Sequence, residues 1–198
     1  MPAGESERWV AAVTDPTQKL LLRRAALARL TLAPAVPAEA QAIAARVLAL
    51  PQFRAARRVC LYVALAGEPG AEALWAAAGD RSIVCPGGGS NGPELRAVRE
   101  LSGMARAGRG FWEPPPGEPV PPSDIDVFVV PGLSFDGQGV RLGRGGGYYD
   151  RLLAQRAQGA VCVGVALERW LTLALPREPH DVPVTHLATE ARLFAVAP

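Results

Sequence analysis

Lysine and excess charge are both scarce in this chain. Lys19 is the one lysine among 21 basic residues, and 19 acidic residues nearly balance them. The formal net charge of +2 does not provide the strongly basic surface that general nucleic-acid binding requires. We therefore expect no nucleic-acid partner, and the position of the one lysine becomes informative.

Cysteine and long apolar runs are scarce too, and both bear on the compartment. Cys60, Cys85 and Cys162 each lie in or at the end of an apolar run, and no CxxC pair or Cys/His cluster occurs. This pattern argues against a zinc site and indicates buried free thiols in a reducing compartment. No run reaches the roughly 18 apolar residues that a membrane span requires, and residues 1–10 lack the apolar core of a signal peptide. We expect a cytoplasmic protein without a membrane partner.

The sequence does contain an alternation of strand and helix patterns. Apolar, β-branched runs predict strands at residues 59–63, 82–86, 127–130 and 160–166. Helix signals precede and separate them, beginning with a helical segment at about residues 17–50. The alternation predicts a single α/β domain over residues 1–198, with a mixed, mainly parallel central sheet and helices on both faces.

A glycine-rich loop follows the strand at residues 127–130. Glycine recurs between Pro131 and Tyr148, and Arg141 and Arg144 lie among these glycines. A helix is predicted to begin at Tyr148 and to end near Gly159. Glycines let the backbone approach a ligand closely, and backbone N–H groups at a helix start favour anions. Guanidinium groups fit phosphate oxygens. The loop is therefore interpreted as a phosphate-binding loop.

Two common nucleotide signatures do not fit this loop. The pattern GxxxxGK[ST] is excluded because the only lysine is Lys19, and a dinucleotide fingerprint would place its third glycine at Tyr148. A loop of this kind can also be a simple turn, or belong to a CoA- or sugar-phosphate-binding protein or to a non-catalytic scaffold. A second glycine cluster, residues 87–92, lacks basic residues and is interpreted as a flexible turn.

The full string of residues 131–151 favours one reading. PGLSFD, a short spacer and RLGRGGGYYDR closely resemble the signature of the 5-formyltetrahydrofolate cyclo-ligase family, and the resemblance extends over roughly residues 17–190. It implies a three-layer α/β/α architecture and the ATP-dependent cyclisation of 5-formyltetrahydrofolate to 5,10-methenyltetrahydrofolate, with release of ADP and phosphate through a phosphorylated formyl oxygen. It also implies ATP and Mg²⁺ as cofactors and 5-formyltetrahydrofolate as the small-molecule partner. We expect a monomer.

The resemblance also implies site residues. Nucleotide binding is implied for Lys19, Arg23, Arg141, Gly143, Arg144, Gly145, Gly146, Gly147, Tyr148, Tyr149 and Asp150. Folate binding is implied for Val63, Glu68, Trp112, Arg144, Gly145, Gly146, Gly147 and Tyr148. The implied catalytic residues are Lys19, Arg144 and Tyr148, and the implied metal ligands are Asp150 and Asp181.

Several of these residues also have an ordinary structural interpretation. Lys19 and Arg23, one helical turn apart, can belong to a solvated helix face. Glu68 can be a carboxylate favoured at a helix start, and Asp181 can cap a turn. The sequence leaves these alternatives open.

The resemblance is less decisive in two places. Phe111 and Trp112 can pack in the core or stack on a pterin ring. Thr185 stands where the family usually has a second acidic residue, so a carboxylate pair at the metal site cannot be assumed. Residues 189–190 fit the family's closing strand.

Overall fold

The structure, a computed structural model, describes residues 16–89, 92–107 and 111–196. Its α-helices are α1 (Pro16–Leu32), α2 (Pro37–Ala49), α3 (Pro51–Ala55), α4 (Glu72–Ala76) and α5 (Tyr148–Leu153). Short 3-10 turns occupy Leu101–Gly103, Pro122–Asp124 and Glu168–Trp170. α1 and α2 lie where the helical segment at about residues 17–50 was predicted. The expectation about a signal peptide concerns residues 1–10, which lie outside the described residues.

The strands form one large sheet and two small ones. They are β1 (Arg58–Cys60), β2 (Ser82–Gly89), β3 (Gly92–Ala97), β4 (Ala105–Arg106), β5 (Trp112–Glu113), β6 (Pro119–Val120), β7 (Val127–Pro131), β8 (Ser134–Asp136), β9 (Arg141–Leu142), β10 (Val161–Val165), β11 (Leu171–Thr172), β12 (His186–Ala188) and β13 (Leu193–Ala195). The large sheet has the order β13-β12-β10-β7-β1-β2-β3-β6, and the small sheets have the orders β11-β8-β9 and β4-β5.

The centre of the large sheet is parallel and its edges are antiparallel. β1 pairs in parallel with β2 and β7, and β10 pairs in parallel with β7 and β12. The outer strands β3, β6 and β13 pair in antiparallel fashion. β7 and β10 are nearly continuous apolar runs and are almost completely buried, because both faces of a parallel centre are covered. The predicted mixed, mainly parallel sheet is confirmed.

Helices lie on both faces of this sheet. The connections β1–α4–β2 and β7–α5–β10 run in opposite directions along the strand order. Because crossovers between parallel strands are right-handed, α4 and α5 lie on opposite faces. On the face of α4, helix α2 contacts α4 and buries Ile43, Ala44 and Val47. The predicted three-layer α/β/α architecture is confirmed.

The interpretation of residues 87–92 as a flexible turn is wrong for the residues that the structure describes. Gly87 and Gly88 continue β2 and pair with Glu94 and Pro93 of β3. Glycine is disfavoured in strands, but here it permits close packing, because a Cβ on Gly87 would lie 2.6 Å from Cδ of Pro114. Residues 90–91 lie outside the described residues.

The segment between β7 and α5 is also not one continuous loop. β8 and β9 form an antiparallel hairpin within it, and the carboxylate of Asp136 accepts hydrogen bonds from the N–H groups of Gln138 and Val140 in the hairpin turn. This carboxylate stabilises the turn, which leaves residues 143–147 as the loop proper.

Three predicted element boundaries are wrong. β1 ends at Cys60 and does not reach Val63. α5 ends at Leu153 and does not reach Gly159. Thr189 and Glu190 follow β12 and precede β13, and the Thr189 hydroxyl accepts hydrogen bonds from the N–H groups of Ala191 and Arg192. A hydroxyl that bonds the next backbone amides favours a turn over a strand.

Two features bear on the expectations from composition. Cys60, Cys85 and Cys162 are free and buried, as predicted. Among the helices of residues 16–89, 92–107 and 111–196, none combines the length and the apolar character needed to cross a membrane.

Candidate active site

A cavity of about 720 Å³ opens at the carboxyl ends of the central parallel strands. Its wall includes Val63 beyond β1, Pro86 of β2 and Pro131 at the end of β7. This edge is where open α/β sheets bind ligands, because the loops that follow parallel strands converge there. The sequence-predicted site residues that line the cavity are Lys19, Arg23, Val63, Glu68, Trp112, Arg141, Gly143, Arg144, Gly145, Gly146, Gly147, Tyr148, Tyr149, Asp150 and Asp181.

The loop of residues 143–147 has a backbone that glycine makes possible. Gly145 has φ +103° and Gly147, which precedes α5, has φ +59°. Residues other than glycine rarely adopt these φ angles. The two glycines therefore determine the backbone path of the loop along the cavity. Gly146 does not have a positive φ, and a Cβ there would meet no atom within 4 Å. The backbone at Gly146 therefore tolerates a side chain. A glycine at this position would serve a ligand only by leaving space for it.

α1 contributes Arg23 to the loop. The Nε of Arg23 donates a hydrogen bond to the carbonyl of Gly143 at 3.1 Å, and the guanidinium lies beside Gly145. Among the described residues, Arg23 has no carboxylate partner. The loop thus orients this guanidinium, and no carboxylate of residues 16–89, 92–107 and 111–196 neutralises its charge.

Lys19, one turn earlier in α1, has a different environment. Its side chain is 5% exposed, and its Nζ lies 2.6 Å from Glu178 Oε2 and 2.6 Å from Asp181 Oδ2. The interpretation of Lys19 as a solvated surface residue is therefore wrong. The contact joins α1 to the segment before β12 across the cavity.

The carboxyl group of Asp181 is held in its ionised form. Burial alone would raise its pKa, but hydrogen bonds from the N–H of Glu178 and from Lys19 outweigh burial and lower the pKa. The bond from Glu178 N–H spans 2.7 Å, so Asp181 does cap a local turn. The turn interpretation of Asp181 is therefore confirmed, and the same residue lines the cavity.

A second ion pair braces the start of α5. An Nη of Arg141 lies 2.9 Å from Asp150 Oδ2, and the guanidinium stands over the ring of Tyr149 at 5.3 Å from its centroid. Burial raises the pKa of Tyr149 well above its usual value. The buried Nε of Arg141 has no hydrogen-bond acceptor in the described protein.

A third ion pair crosses the cavity. Glu68 Oε1 accepts hydrogen bonds from Arg144 Nε at 3.1 Å and from an Arg144 Nη at 2.7 Å, and its other oxygen accepts the N–H of Leu65. The side chain of Glu68 is 6% exposed and that of Arg144 is 32% exposed. Arg144 therefore remains partly open to solvent, whereas Glu68 is buried and held by the loop that follows β1.

The remaining wall is apolar and aromatic. Trp112 is half-buried, Phe111 is 44% exposed, and both line the cavity together with Val63 and Tyr148. The ring of Tyr148 meets that of Tyr149 edge to face, at 6.2 Å between centroids. Burial, with a contribution from the charge of Glu113, raises the pKa of the Tyr148 hydroxyl, so this group stays protonated. A flat, partly apolar ligand would find stacking surface and a hydrogen-bond donor here.

A candidate metal site differs from the predicted one. Glu178, His180 and Asp181 bring one ligand atom each within 4.8 Å of one another, and Asp150 is not in this group. Two carboxylates beside open space suit Mg²⁺, which prefers oxygen ligands and retains waters. Thr185 does not line the cavity, because its hydroxyl is bonded to the backbone of Cys162 in β10.

Among the acidic and histidine residues that line the cavity, sequence reasoning missed Glu113, Glu178 and His180. Glu178 and His180 lie within the three residues before Asp181. An acidic side chain and a histidine so close to a candidate metal ligand are a signal of a shared site, and this signal was available in the sequence. Glu113 lies in the string GFWEP, residues 110–114, which resembles a short GxxEP element of the family, but this resemblance assigned it no role. Its position becomes meaningful only when β5 is placed against β2.

The fold and the cavity define an α/β protein that can hold an anion and a flat ring at one sheet edge. Comparison with known sequences identifies the family. Residues 11–190 match the 5-formyltetrahydrofolate cyclo-ligase family, and the chain belongs to this family of ligases. The resemblance that the glycine loop carries is therefore confirmed over most of the chain.

Relatives of known name agree with this assignment. A 5-formyltetrahydrofolate cyclo-ligase from Mycolicibacterium smegmatis is 34% identical over 191 residues, which cover 90% of this chain and 96% of the relative. The NMR structure of Aquifex aeolicus 5,10-methenyltetrahydrofolate synthetase superposes with a TM-score of 0.78 at 30% identity, covering 91% of this chain and 93% of that one. A Mycoplasma pneumoniae 5,10-methenyltetrahydrofolate synthetase, at 22% identity and a TM-score of 0.68, has the same fold.

Proposed function

We propose that the chain catalyses the ATP- and Mg²⁺-dependent cyclisation of 5-formyltetrahydrofolate to 5,10-methenyltetrahydrofolate, with release of ADP and phosphate. The formyl oxygen would be phosphorylated on the way. We also propose that the active form is a monomer, because one chain places cations, carboxylates and an aromatic wall around one cavity. We propose a cytoplasmic location because the three free cysteines fit a reducing compartment.

One observation carries the proposal: the cationic glycine loop and the aromatic wall face the same cavity. Arg23 and Arg144 stand at the loop, and Trp112 and Tyr148 stand beside it. A reaction that joins a triphosphate to a pterin needs both kinds of surface within reach of each other. A sugar-phosphate or CoA binder would need the loop but not a carboxylate such as Glu68 facing a stacking wall.

The chemistry explains why ATP is needed. A formamide oxygen is a poor leaving group, so the ring cannot close by direct loss of that oxygen. The formyl oxygen attacks the γ-phosphorus, ADP leaves, and the formyl carbon becomes part of an imino-phosphate on N5. The N10 amine then attacks this carbon, its proton is lost, and phosphate departs with the former formyl oxygen. The product carries the carbon bridged between N5 and N10.

The residues around the cavity would divide this work. Arg23 and the backbone of the glycine loop would hold phosphate oxygens, and Arg144 would neutralise charge that develops on the transferred group. Tyr148, protonated at neutral pH, would donate a hydrogen bond toward the ring. Glu68 would accept N–H groups of the pterin, since its second oxygen already anchors it to the backbone.

Lys19 and the acidic group would complete the phosphate subsite. The carboxylates of Asp181 and Glu178 would hold Mg²⁺, with Asp150 nearby at the cavity wall. The ion would screen the charge of the triphosphate. Lys19 keeps the two carboxylates together when no cation is bound, and its ammonium is close enough to the site to contribute to phosphate binding.

The test is a spectrophotometric assay with the purified protein, 5-formyltetrahydrofolate, Mg²⁺ and ATP, in which methenyl absorbance and ADP are followed together. We expect one ADP for each methenyl product and no product when ATP or Mg²⁺ is left out. ATP-independent product, or binding of ATP without turnover in the presence of the folate, would refute the proposal.

A further inference from the structure

A small hairpin forms part of the aromatic wall. β4 and β5 pair in antiparallel register, with Ala105 opposite Glu113 and Arg106 opposite Trp112. The N–H of Ala107 donates to the carbonyl of Phe111 at 2.9 Å, which closes the hairpin. A two-stranded hairpin of this size is not stable by itself. Something outside the hairpin must therefore hold Trp112 in place.

Glu113 provides a link from this hairpin to the large sheet. Its Oε2 accepts the N–H of Gly88 in β2 at 2.8 Å. β1 ends at Cys60, which lies opposite Val84, so Gly88 lies beyond the part of β2 that β1 can pair. An unpaired strand N–H needs an acceptor, and the carboxylate of Glu113 supplies a charged one.

The second glycine cluster makes this link possible. A Cβ on Gly88 would lie 3.3 Å from Oε1 of Glu113, and a Cβ on Gly87 would lie 2.8 Å from Oε2 and 2.6 Å from Cδ of Pro114. Side chains at these positions would push β5 away from β2. Gly87 and Gly88 of β2, which have no side chains, and the carboxylate of Glu113 on β5 thus pack as one unit. This unit is separate from the glycine loop of residues 143–147.

Two contacts hold Trp112 in place, one to its ring and one at the next backbone position. The guanidinium of Arg106 stands 5.0 Å from the centroid of the Trp112 ring, and Glu113 ties the next backbone position to β2. We propose that Glu113 is a positioning residue, which holds β5 against Gly88 and so fixes Trp112 at the wall where the folate ring would stack. This inference rests on the proposed function for the identity of the ring.

The test uses three variants and two ligands. Glu113→Ala removes the acceptor, Glu113→Gln keeps an oxygen that can accept the Gly88 N–H, and Glu118→Ala removes an exposed carboxylate from the connector that follows. Equilibrium titrations give Kd for 5-formyltetrahydrofolate and for ATP separately. Hydrogen exchange at the Gly88 amide, measured by NMR on the free protein, reports the link without any ligand.

We expect Glu113→Ala to lose protection at Gly88 and to bind 5-formyltetrahydrofolate about tenfold more weakly, with ATP affinity within about twofold of the unmodified protein. Glu113→Gln should restore both properties, and Glu118→Ala should change neither. Unchanged folate affinity in Glu113→Ala, equal losses for both ligands, or a Gln variant as weak as Ala would overturn the inference. If the unmodified protein fails to bind 5-formyltetrahydrofolate, the proposed function is wrong and the role of Glu113 falls with it.

Discussion

The Nζ of Lys19 lies 2.6 Å from Oδ2 of Asp181, and these side chains are only 5% and 10% exposed. The two residues are far apart in sequence, so the contact depends on α1 closing over the carboxyl edge of the sheet. A buried charge that loses its partner is destabilising. The N-terminal helix is therefore part of the candidate active site.

The first prediction concerns Lys19 itself. Lys19→Ala should lower kcat/KM for ATP by about 100-fold, because it removes a positive charge beside the proposed phosphate subsite and leaves two carboxylates facing each other. Arg24→Ala is the matched control, since Arg24 is an exposed residue on the same helix. Steady-state kinetics at saturating folate provide the measurement. Near-normal values for both variants would place α1 outside the site.

The second prediction concerns acid stability. The pKa of Asp181 in the folded protein is lowered from its ordinary value of 3.8 by the hydrogen bonds from Glu178 and Lys19, which outweigh burial. A lowered folded pKa gives stabilisation that is fully present above the unfolded pKa and is lost as pH falls through the folded value. Asp181→Asn should therefore destabilise the protein at pH 7, and the difference should shrink below about pH 4.

Urea unfolding at several pH values between 3 and 7 measures this difference. Asp80→Asn, at an exposed position, serves as the control for the loss of one carboxylate. A free-energy difference for Asp181→Asn that is constant across the range would contradict the ion pair with Lys19.

The third prediction separates two adjacent glycines. Gly145→Val should weaken ATP binding by about tenfold or more, because a β-branched side chain disfavours the φ of +103° and the loop must rearrange. Gly146→Ala should bind ATP within about threefold of the unmodified protein, because its Cβ meets open space and its φ is not positive. Calorimetric titration with ATP in Mg²⁺ decides the matter. Equal tolerance at both positions would argue against a fixed backbone cradle.

The fourth prediction follows from the pair between Glu68 and Arg144. Glu68→Gln keeps the shape of the side chain but removes the charge that holds Arg144, so ATP affinity should rise by about two- to fivefold in the absence of folate. Affinity for 5-formyltetrahydrofolate should fall in the same variant, because a neutral amide accepts the pterin N–H groups less strongly. Glu72→Gln, exposed at the start of α4, should change neither. Parallel titrations that show loss of both affinities would contradict this account.

Much of the fold was predictable because its signals are local. Apolar runs directly indicate the strands β7 and β10. Local helix signals indicate the two helices that end at Leu32 and Ala49. The position of the glycine-rich loop at the cavity was predictable for the same reason, since its glycines and arginines lie within a few residues of one another. The family resemblance extended this reading to Lys19 and Arg23, whose one-turn spacing alone fits any solvated helix.

The rest depends on contacts that form only when the sheet closes. The partner of Lys19 at Glu178 lies 159 residues away, and no local pattern pairs them. The strand character of Gly87 depends on its pairing with Glu94 of β3, whereas the preference of glycine itself predicts a turn. The hairpin that includes β8 was hidden because the turn-forming Asp136 stands among glycines that all favour loops.

The central claim is that the formyl oxygen is phosphorylated before the ring closes. The most direct measurement uses 5-formyltetrahydrofolate labelled with ¹⁸O in the formyl group, incubated with the protein, Mg²⁺ and unlabelled ATP, followed by mass analysis of the phosphate. The account predicts one ¹⁸O atom in the phosphate for each methenyl product formed. Unlabelled phosphate, with the ¹⁸O released into water while the methenyl product accumulates, would contradict it.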